Sequence, residues 1–556
     1  MDAPFSYRTR ADNLEIMASE PLDLLIIGGG ATGAGIARDA AMRGIRTAMV
    51  EQGDFATGTS SRSSRLIHGG LRYLEHGHLR LVFEACRERR ILLKIAPHLV
   101  WPRSFLFPVF RGARVPRWKL EAGLLLYDLL ALLRNVRQHR MLSKRALLRA
   151  EPGLRSTDLL GGARYYDAQC DDARLTLANV RDAHRHGALV ANYARAEHVD
   201  AAGGRVGGAR IVDLTTGAEQ TVRALTVVNA TGPWSDAVRA DGVTRLHTTK
   251  GVHIVVSRQR LGNHEAATYT SPVDGRVMFV VPWGCLTYIG TTETEFSRPL
   301  GEVRADGKDV VYLLRSVNAL FPEARLTPDD VYATWAGVRP LVRQADAEDP
   351  NAVSREHIVV ESESGLISIV GGKLTTYRSM AAEVVDVVAK KLRDYDGRSI
   401  PSRAPTDTEP LPGGESRDLD VLIDAAVGEG LEKSLATHLV HTYGSETAAV
   451  VRLAQEDPQL ALPVITDHPT LWAELVYGMR REMAVTLSDL LSRRTHLFFV
   501  APKKVLDLAP SIAAFAGEEM GWDAARQEAE VAAYRDDVQR SLAFRQDLEN
   551  EAVDTL

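Results

Sequence analysis

The sequence predicts an α/β protein with a discontinuous Rossmann-like dinucleotide-binding domain, a second domain on a mixed sheet, and a helical C-terminal domain. Three observations lead there. A strand, a glycine turn, a helix and a second strand follow one another from Asp23 to Asp54; alternating apolar runs recur from His253 to Pro340; and beyond Glu415 nearly every stretch has helical periodicity. The segments are 1–100, 150–250 and 355–395 for the dinucleotide unit, 101–149 and 251–354 for the second domain, and 402–556 for the helical one. At 556 residues the chain exceeds a single core of about 100–200 residues.

The first unit is the most explicit. Leu24 to Ile27 is an apolar run of strand length, and Gly28, Gly30 and Gly33 follow at G-x-G-x-x-G spacing. Gly28 permits the tight turn, Gly30 lets the backbone approach a pyrophosphate, and Gly33 lets the helix lie close to the strand, with the helix N-terminus facing phosphate charge. Glu51 follows the second strand, Thr47 to Val50, where an acidic side chain accepts hydrogen bonds from an adenosine ribose.

Thr57 to Glu75 is dense in hydroxyls, arginines and glycines, and reads as a loop that binds something anionic or polar. A helix from about Leu79 stops at Ala96, before Pro97. From Trp101 to Arg145, Pro102, Pro108 and Pro116 break the early part, and a helix, EAGLLLYDLLALL, lies between two groups of Lys and Arg. That run is far shorter than the ~20 residues a membrane span requires, so it either lies in a membrane interface or packs as a core helix. Arg174 to His186 reads as a helix and Ala188 to Val228 as short strands leading into NATGPW. GGKLTTYR, Gly371 to Arg378, follows a strand and opens a helix to about Leu392; the proline-rich Ser402 to Gly414 is a linker.

Composition narrows the function. A net charge of −5 with 6% aromatics argues against a nucleic-acid partner, and Cys86, Cys170 and Cys285 stand too far apart for a metal framework, so no metal is expected. The first twenty residues mix charged with apolar side chains and do not read as a signal peptide. A single dinucleotide fingerprint with late returns at NATGPW and GGK favours FAD over NAD, one large cofactor held by discontinuous segments.

GGGATGAG, GTSSRSSRLIHGGLRYLEHG, VNATGPW, KGVHIVV, GVRP and GGKLTTYR stand here in an order that resembles the aerobic, FAD-dependent glycerol-3-phosphate dehydrogenases, over about Asp23 to Met380. The resemblance implies that Gly28, Gly30, Gly33, Glu51, Thr59, Ser60, Ser61, Ala230 and Gly232 touch FAD, that Gly372, Leu374 and Thr375 lie near the flavin ring, and that His68 is a flavin-side residue. It implies Arg72, Tyr73, Arg355 and Lys373 at the substrate, with Arg339 beside the reacting oxygen. The reaction implied is oxidation of sn-glycerol 3-phosphate at C2 to dihydroxyacetone phosphate by hydride transfer to FAD. His253 is the first candidate for the base and His68 the second, since imidazole titrates in the useful range. The acceptor stays open between a membrane quinone and oxygen, as in an oxidase or a related amine or hydroxy-acid oxidoreductase; the basic and apolar segment 101–145 favours the quinone. A peripheral position on the inner face of the cytoplasmic membrane is the corresponding expectation. The sequence sets no oligomeric state, and a homodimer is one arrangement it allows.

Overall fold

A computed structural model describes residues 5–200, 204–239, 244–343, 353–354, 356–466 and 468–554; among them, eight strands form one sheet and eleven a second. The first sheet runs His357–Glu361, Ile367–Gly371, Glu219–Asn229, Leu22–Ile27, Thr47–Val50, Leu189–Ala191, with Gly208–Asp213 and Ala194–Asp200 as an extension. Leu22–Ile27 lies parallel to both of its neighbours, and every one of its residues is buried. A continuous apolar run is what such a central strand requires, because both faces are covered. Leu24 and Ile26 pack with Ala34, Val180 and Val384 on one side, while Leu22, Leu25 and Ile27 pack with Leu14, Met17 and Ile211 on the other. One neighbour, Thr47–Val50, follows it directly and the other, Glu219–Asn229, returns only after strands of the second sheet, so the connections diverge and the strand's carboxyl end opens into a crevice, the usual place for a ligand in such sheets.

The second sheet is mixed. Its order is Val353–Ser354, Val331–Arg343, Leu246–Ser257, Leu286–Gly290, Val277–Trp283, Ala266–Thr270, Val100–Phe110, Leu159–Cys170, Leu66–Ile67. Two sequence expectations need correction here. Pro102 and Pro108 do not break the chain but sit in the Val100–Phe110 strand, opposite Ala168 and Gly162. On that strand's other side Ala266–Thr270 pairs only with Phe105 and Leu106, so neither proline has a partner there that needs its missing N–H. Leu159–Cys170, assigned by sequence to the dinucleotide unit, belongs to this sheet, and the chain returns to the first sheet only after it. The helix Gly307–Leu320, which the sequence reading passed over, is capped by a reciprocal Asp306–Asp309 box and buries Val310, Leu313 and Val317 against the sheet.

The first ten residues of the run EAGLLLYDLLALL fall in the helix Arg117–Leu130, and Ala131, Leu132 and Leu133 lie beyond its end. Leu120, Leu124, Tyr127 and Asp128 are buried, while Leu125 and Leu129 are 54% and 51% exposed, and Trp118 72%. The helix is therefore two-faced, one side packed in the protein and the other turned outward. No helix among the described residues is long and apolar enough to cross a membrane. From Leu419 onward the described chain is helical, as expected, apart from short connections. Arg174 pairs with Glu482, and Arg181 with Glu446, so ion pairs tie these helices to the first sheet's cover helix Asp172–Arg185.

Candidate active site

At the end of Leu22–Ile27 the chain turns at Gly28 with φ +112°, where an added Cβ would meet Ala230 O at 2.7 Å. Gly30 caps the helix Ala31–Met42, and a Cβ on Gly33 would lie 1.9 Å from Gly28 O, so only glycine allows this helix so close to the strand. Ser60 Oγ accepts the Ala31 N–H at 2.9 Å, tying the hydroxyl-rich loop to the helix start. Glu51 accepts the Gly29 N–H at 2.7 Å and the Gly53 N–H at 2.9 Å. Burial pushes its carboxyl up, and those two amide bonds oppose the rise.

These residues open onto a cavity of about 1320 Å³, larger than the roughly 300–1,000 Å³ of a typical small-ligand site. It extends from Glu51 past the glycine turn to a second glycine turn, Gly371 and Gly372, both at positive φ (80° and 90°), and then to the short helix Leu374–Thr376. A glycine-bared helix N-terminus in the middle, a carboxylate at one end and a backbone turn at the other fit an elongated dinucleotide such as FAD. Of the nucleotide set read from the sequence, all but Gly33 and Ser61 line this cavity. Gly33 acts behind the turn, through packing, and Ser61 donates its N–H to Ala56 O.

The far end holds the chemistry. His253, on the strand Leu246–Ser257, is 2% exposed; its Nε2 lies 3.0 Å from Ser64 Oγ, and its ring stacks on Trp335 at 4.9 Å with an interplanar angle of 16°. Burial, then the charges of Arg339 and Arg65, hold the imidazole well below its ordinary range, so it is neutral. Arg339, across the Leu246–Ser257 pairing, donates to Thr291 Oγ1 at 2.8 Å and to Thr292 O at 3.2 Å. A Cβ on Gly251 would fall 2.3 Å from its guanidinium, so that glycine makes the room for it. Lys373 Nζ sits 3.4 Å from the centre of the Tyr73 ring, a cation–π contact joining the GGK turn to the HGGLRY loop. Thr375 Oγ1 accepts the His68 N–H at 3.2 Å and fastens the same loop. Gly69 donates to Tyr127 Oη at 2.8 Å, so the loop also rests on the buried face of the two-faced helix.

His253, Arg339, Lys373, Tyr73 and His68 thus line one cavity although they are distant in sequence. The side chain of Arg72, and Arg355 altogether, lie outside the described residues. Sequence reasoning missed Ser63, Ser64 and Arg276, which also line it. The two serines stood within the loop already singled out for its hydroxyls. Arg276 had no such signal; it reaches the cavity from a turn, held by Glu293 O at 2.6 Å and Asp274 at 3.1 Å. Arg114 and Lys119, read as surface cations beside the apolar helix, line the cavity as well, whereas Arg103 bonds inward to Gln169 at 2.8 Å. Among the described residues no cluster of His, Cys, Asp and Glu suits a metal.

Comparison with known proteins agrees with this architecture. Residues 23–378 match the family model for FAD dependent oxidoreductases, and residues 404–527 match the C-terminal domain of alpha-glycerophosphate oxidase. An aerobic glycerol-3-phosphate dehydrogenase of Staphylococcus aureus (strain bovine RF122 / ET3-1) is 36% identical over 544 residues, 95% of each chain. The crystal structure of the glycerol-3-phosphate dehydrogenase from Bacillus halodurans, complexed with FAD, superposes with a TM-score of 0.81 at 33% identity, covering 97% of this chain and 98% of that one. L-alpha-glycerophosphate oxidase from Mycoplasma pneumoniae, at 16% identity, covers 70% of this chain and 98% of its own with a TM-score of 0.53, and shares the fold.

Proposed function

The chain belongs to the FAD-dependent oxidoreductases, among the aerobic glycerol-3-phosphate dehydrogenases, and we propose from that premise that it oxidises sn-glycerol 3-phosphate to dihydroxyacetone phosphate with His253 as base and Arg339 and Lys373 as the anion-binding pair. The observation that carries this reading is a buried neutral imidazole beside Arg339, with Lys373 lining the same dinucleotide-sized cavity. When bound, FAD supplies the two-electron acceptor for the hydride that leaves C2. Gly28, Gly30 and Ser60 are placed to hold its pyrophosphate, Glu51 its ribose, and Gly372 to Thr375 its ring.

The rest falls to side chains. A phosphomonoester enters a buried site only where cations and donors replace its water; Lys373 and Arg339 are such groups, with Arg276 a third. His253 takes the C2 hydroxyl proton as the C–H bond breaks, so one hydride and one proton leave and a carbonyl remains. Neutrality suits it to that role, because a protonated imidazole has no lone pair to offer. Arg339 stabilises the oxygen while charge builds on it. Reduction of the bound flavin by sn-glycerol 3-phosphate, compared with glycerol and with 2-hydroxy acids, tests substrate and cofactor together. Equal rates with glycerol would remove the phosphate from the reading.

For the electron acceptor we infer a membrane quinone reached at a membrane surface. The exposed leucines and Trp118 of Arg117–Leu130 form an apolar face, Arg111, Arg117, Arg134 and Arg137 stand exposed around it, and Leu120 and Leu126 of the same helix line the cavity. An apolar face with basic flanks suits an interface with anionic lipid. Reoxidation of the reduced enzyme by a quinone analogue should far outpace reoxidation in air; the reverse result would make the protein an oxidase.

A further inference from the structure

Three consecutive residues of the hydroxyl-rich loop converge on His253 from different sides. Ser64 Oγ meets Nε2 at 3.0 Å. Ser63 O accepts the Trp335 indole N–H at 3.0 Å, and that indole is the one stacked on the imidazole. Ser63 is itself held by Asp172, which takes its N–H at 3.1 Å and its hydroxyl at 2.6 Å. Arg65, 2% exposed, places its guanidinium carbon 4.1 Å from the centre of the Trp283 ring and 5.3 Å from those of Trp335 and Phe499.

Arg65 is unusual in what it lacks. Its Nε and Nη1 make no hydrogen bond among the described residues, and Asp172 Oδ1 lies 3.8 Å from Nε. A buried guanidinium is normally forked onto a carboxylate, as Arg174 is on Glu482 here. Three aromatic faces stabilise this one instead, and they leave its charge less neutralised by a bonded anion. The Trp335 ring is a neighbour of both that charge and the imidazole.

We propose that Ser63, Ser64 and Arg65 are the positioning residues for His253: Ser64 orients the ring, Ser63 locks the indole against it, and the caged Arg65 sets a fixed positive charge beside the indole. The inference rests on the reading of His253 as the base. The other charged or titratable groups around the imidazole are Arg339, on the strand of Trp335, and Tyr288, on the strand Leu286–Gly290. Behind Arg65 stand Asp172 and, through Trp283, His496. No carboxylate bonds to His253 among the described residues, and burial, with Arg339 and Arg65 adding to it, keeps the imidazole neutral with a lone pair free at neutral pH.

The test uses the FAD-loaded full chain and two readouts, the carbon-13 signal of the His253 imidazole against pH and the pH profile of flavin reduction in single turnover. Arg65→Met is expected to move the His253 titration upward and to carry the acid limb of the rate profile with it; Arg65→Lys should restore both. An Arg65→Met protein whose His253 titrates as in wild type overturns the inference. If the titration moves and the rate profile does not, the role of Arg65 stands and His253 is not the base. Should Arg65→Met fail to fold, Ser64→Ala decides: removing one hydroxyl should slow flavin reduction about tenfold at unchanged FAD content and substrate affinity, and an unaltered rate would sink the positioning role.

Discussion

Arg494 donates from Nη1 to Asp54 Oδ2 at 2.7 Å and from Nη2 to Asp54 Oδ1 at 2.9 Å, so the helical C-terminal domain grips the loop that leaves Glu51. Arg493 adds a third bond to the same carboxylate at 2.5 Å. Burial alone would raise the Asp54 carboxyl, but the two guanidiniums outweigh it and hold the group far below the ordinary range. Breaking a buried pair from one side leaves a charge without its partner, which typically costs about 3–5 kcal/mol. Arg493→Ala combined with Arg494→Ala is therefore expected to lower the urea midpoint sharply and to loosen FAD, since Gly53 of the same loop donates to Glu51. A variant with wild-type stability and full flavin would show that the domains are held elsewhere.

The site residues separate into two kinetic classes. Lys373→Ala and Arg339→Ala should weaken use of glycerol 3-phosphate by about 2–5 kcal/mol in kcat/KM, the typical loss when a buried charge pair is cut. His253→Ala should mainly slow flavin reduction at saturating substrate, by about a hundredfold or more. Stopped-flow flavin absorbance over a substrate series separates the two. A His253→Ala enzyme that reduces its flavin at the normal rate across pH would move the search to His68.

Leu125 and Leu129 are exposed while Tyr127 between them is buried and accepts the Gly69 N–H. Leu125→Glu with Leu129→Glu should abolish pelleting with anionic vesicles and leave flavin reduction by glycerol 3-phosphate intact, because the altered face points away from the loop. Vesicle binding that survives both changes would locate the membrane contact elsewhere.

Acid should unfold the protein early. Burial, with Arg174 adding to it, lowers His98 from 6.5 to about 3, and burial with His438 lowers His468 to about 4. Each group takes up a proton on unfolding below pH 6.5 that the folded state refuses, so stability is complete above that pH and is lost as pH falls toward the folded values. The slope is about 1.4 kcal/mol per pH unit for each histidine. Urea midpoints between pH 7 and pH 4 should fall steeply in wild type and less steeply in His98→Gln; parallel curves would mean that His98 is protonated in the folded state.

The dinucleotide unit was legible in the sequence because its determinants are local. The strand, the turn at Gly28, the helix start at Gly30 and the acid at Glu51 are set by short-range sterics and periodicity, and the fold needs nothing distant to define them. The same holds for the Gly371–Gly372 turn. Strand membership was less legible: Pro102 and Pro108 break most strands, and only the partial pairing on one side of Val100–Phe110 makes them harmless. The two-faced character of Arg117–Leu130 was hidden as well, since leucine reads alike whether it meets the core or the solvent. Tertiary structure alone brought Ser63 to Trp335 and Arg65 to Trp283, across more than two hundred residues of chain, and it alone buried His253 beside Arg339 and so made it neutral. Its imidazole has the same composition anywhere in a sequence; its proton affinity is a property of burial and of the charges the fold places around it.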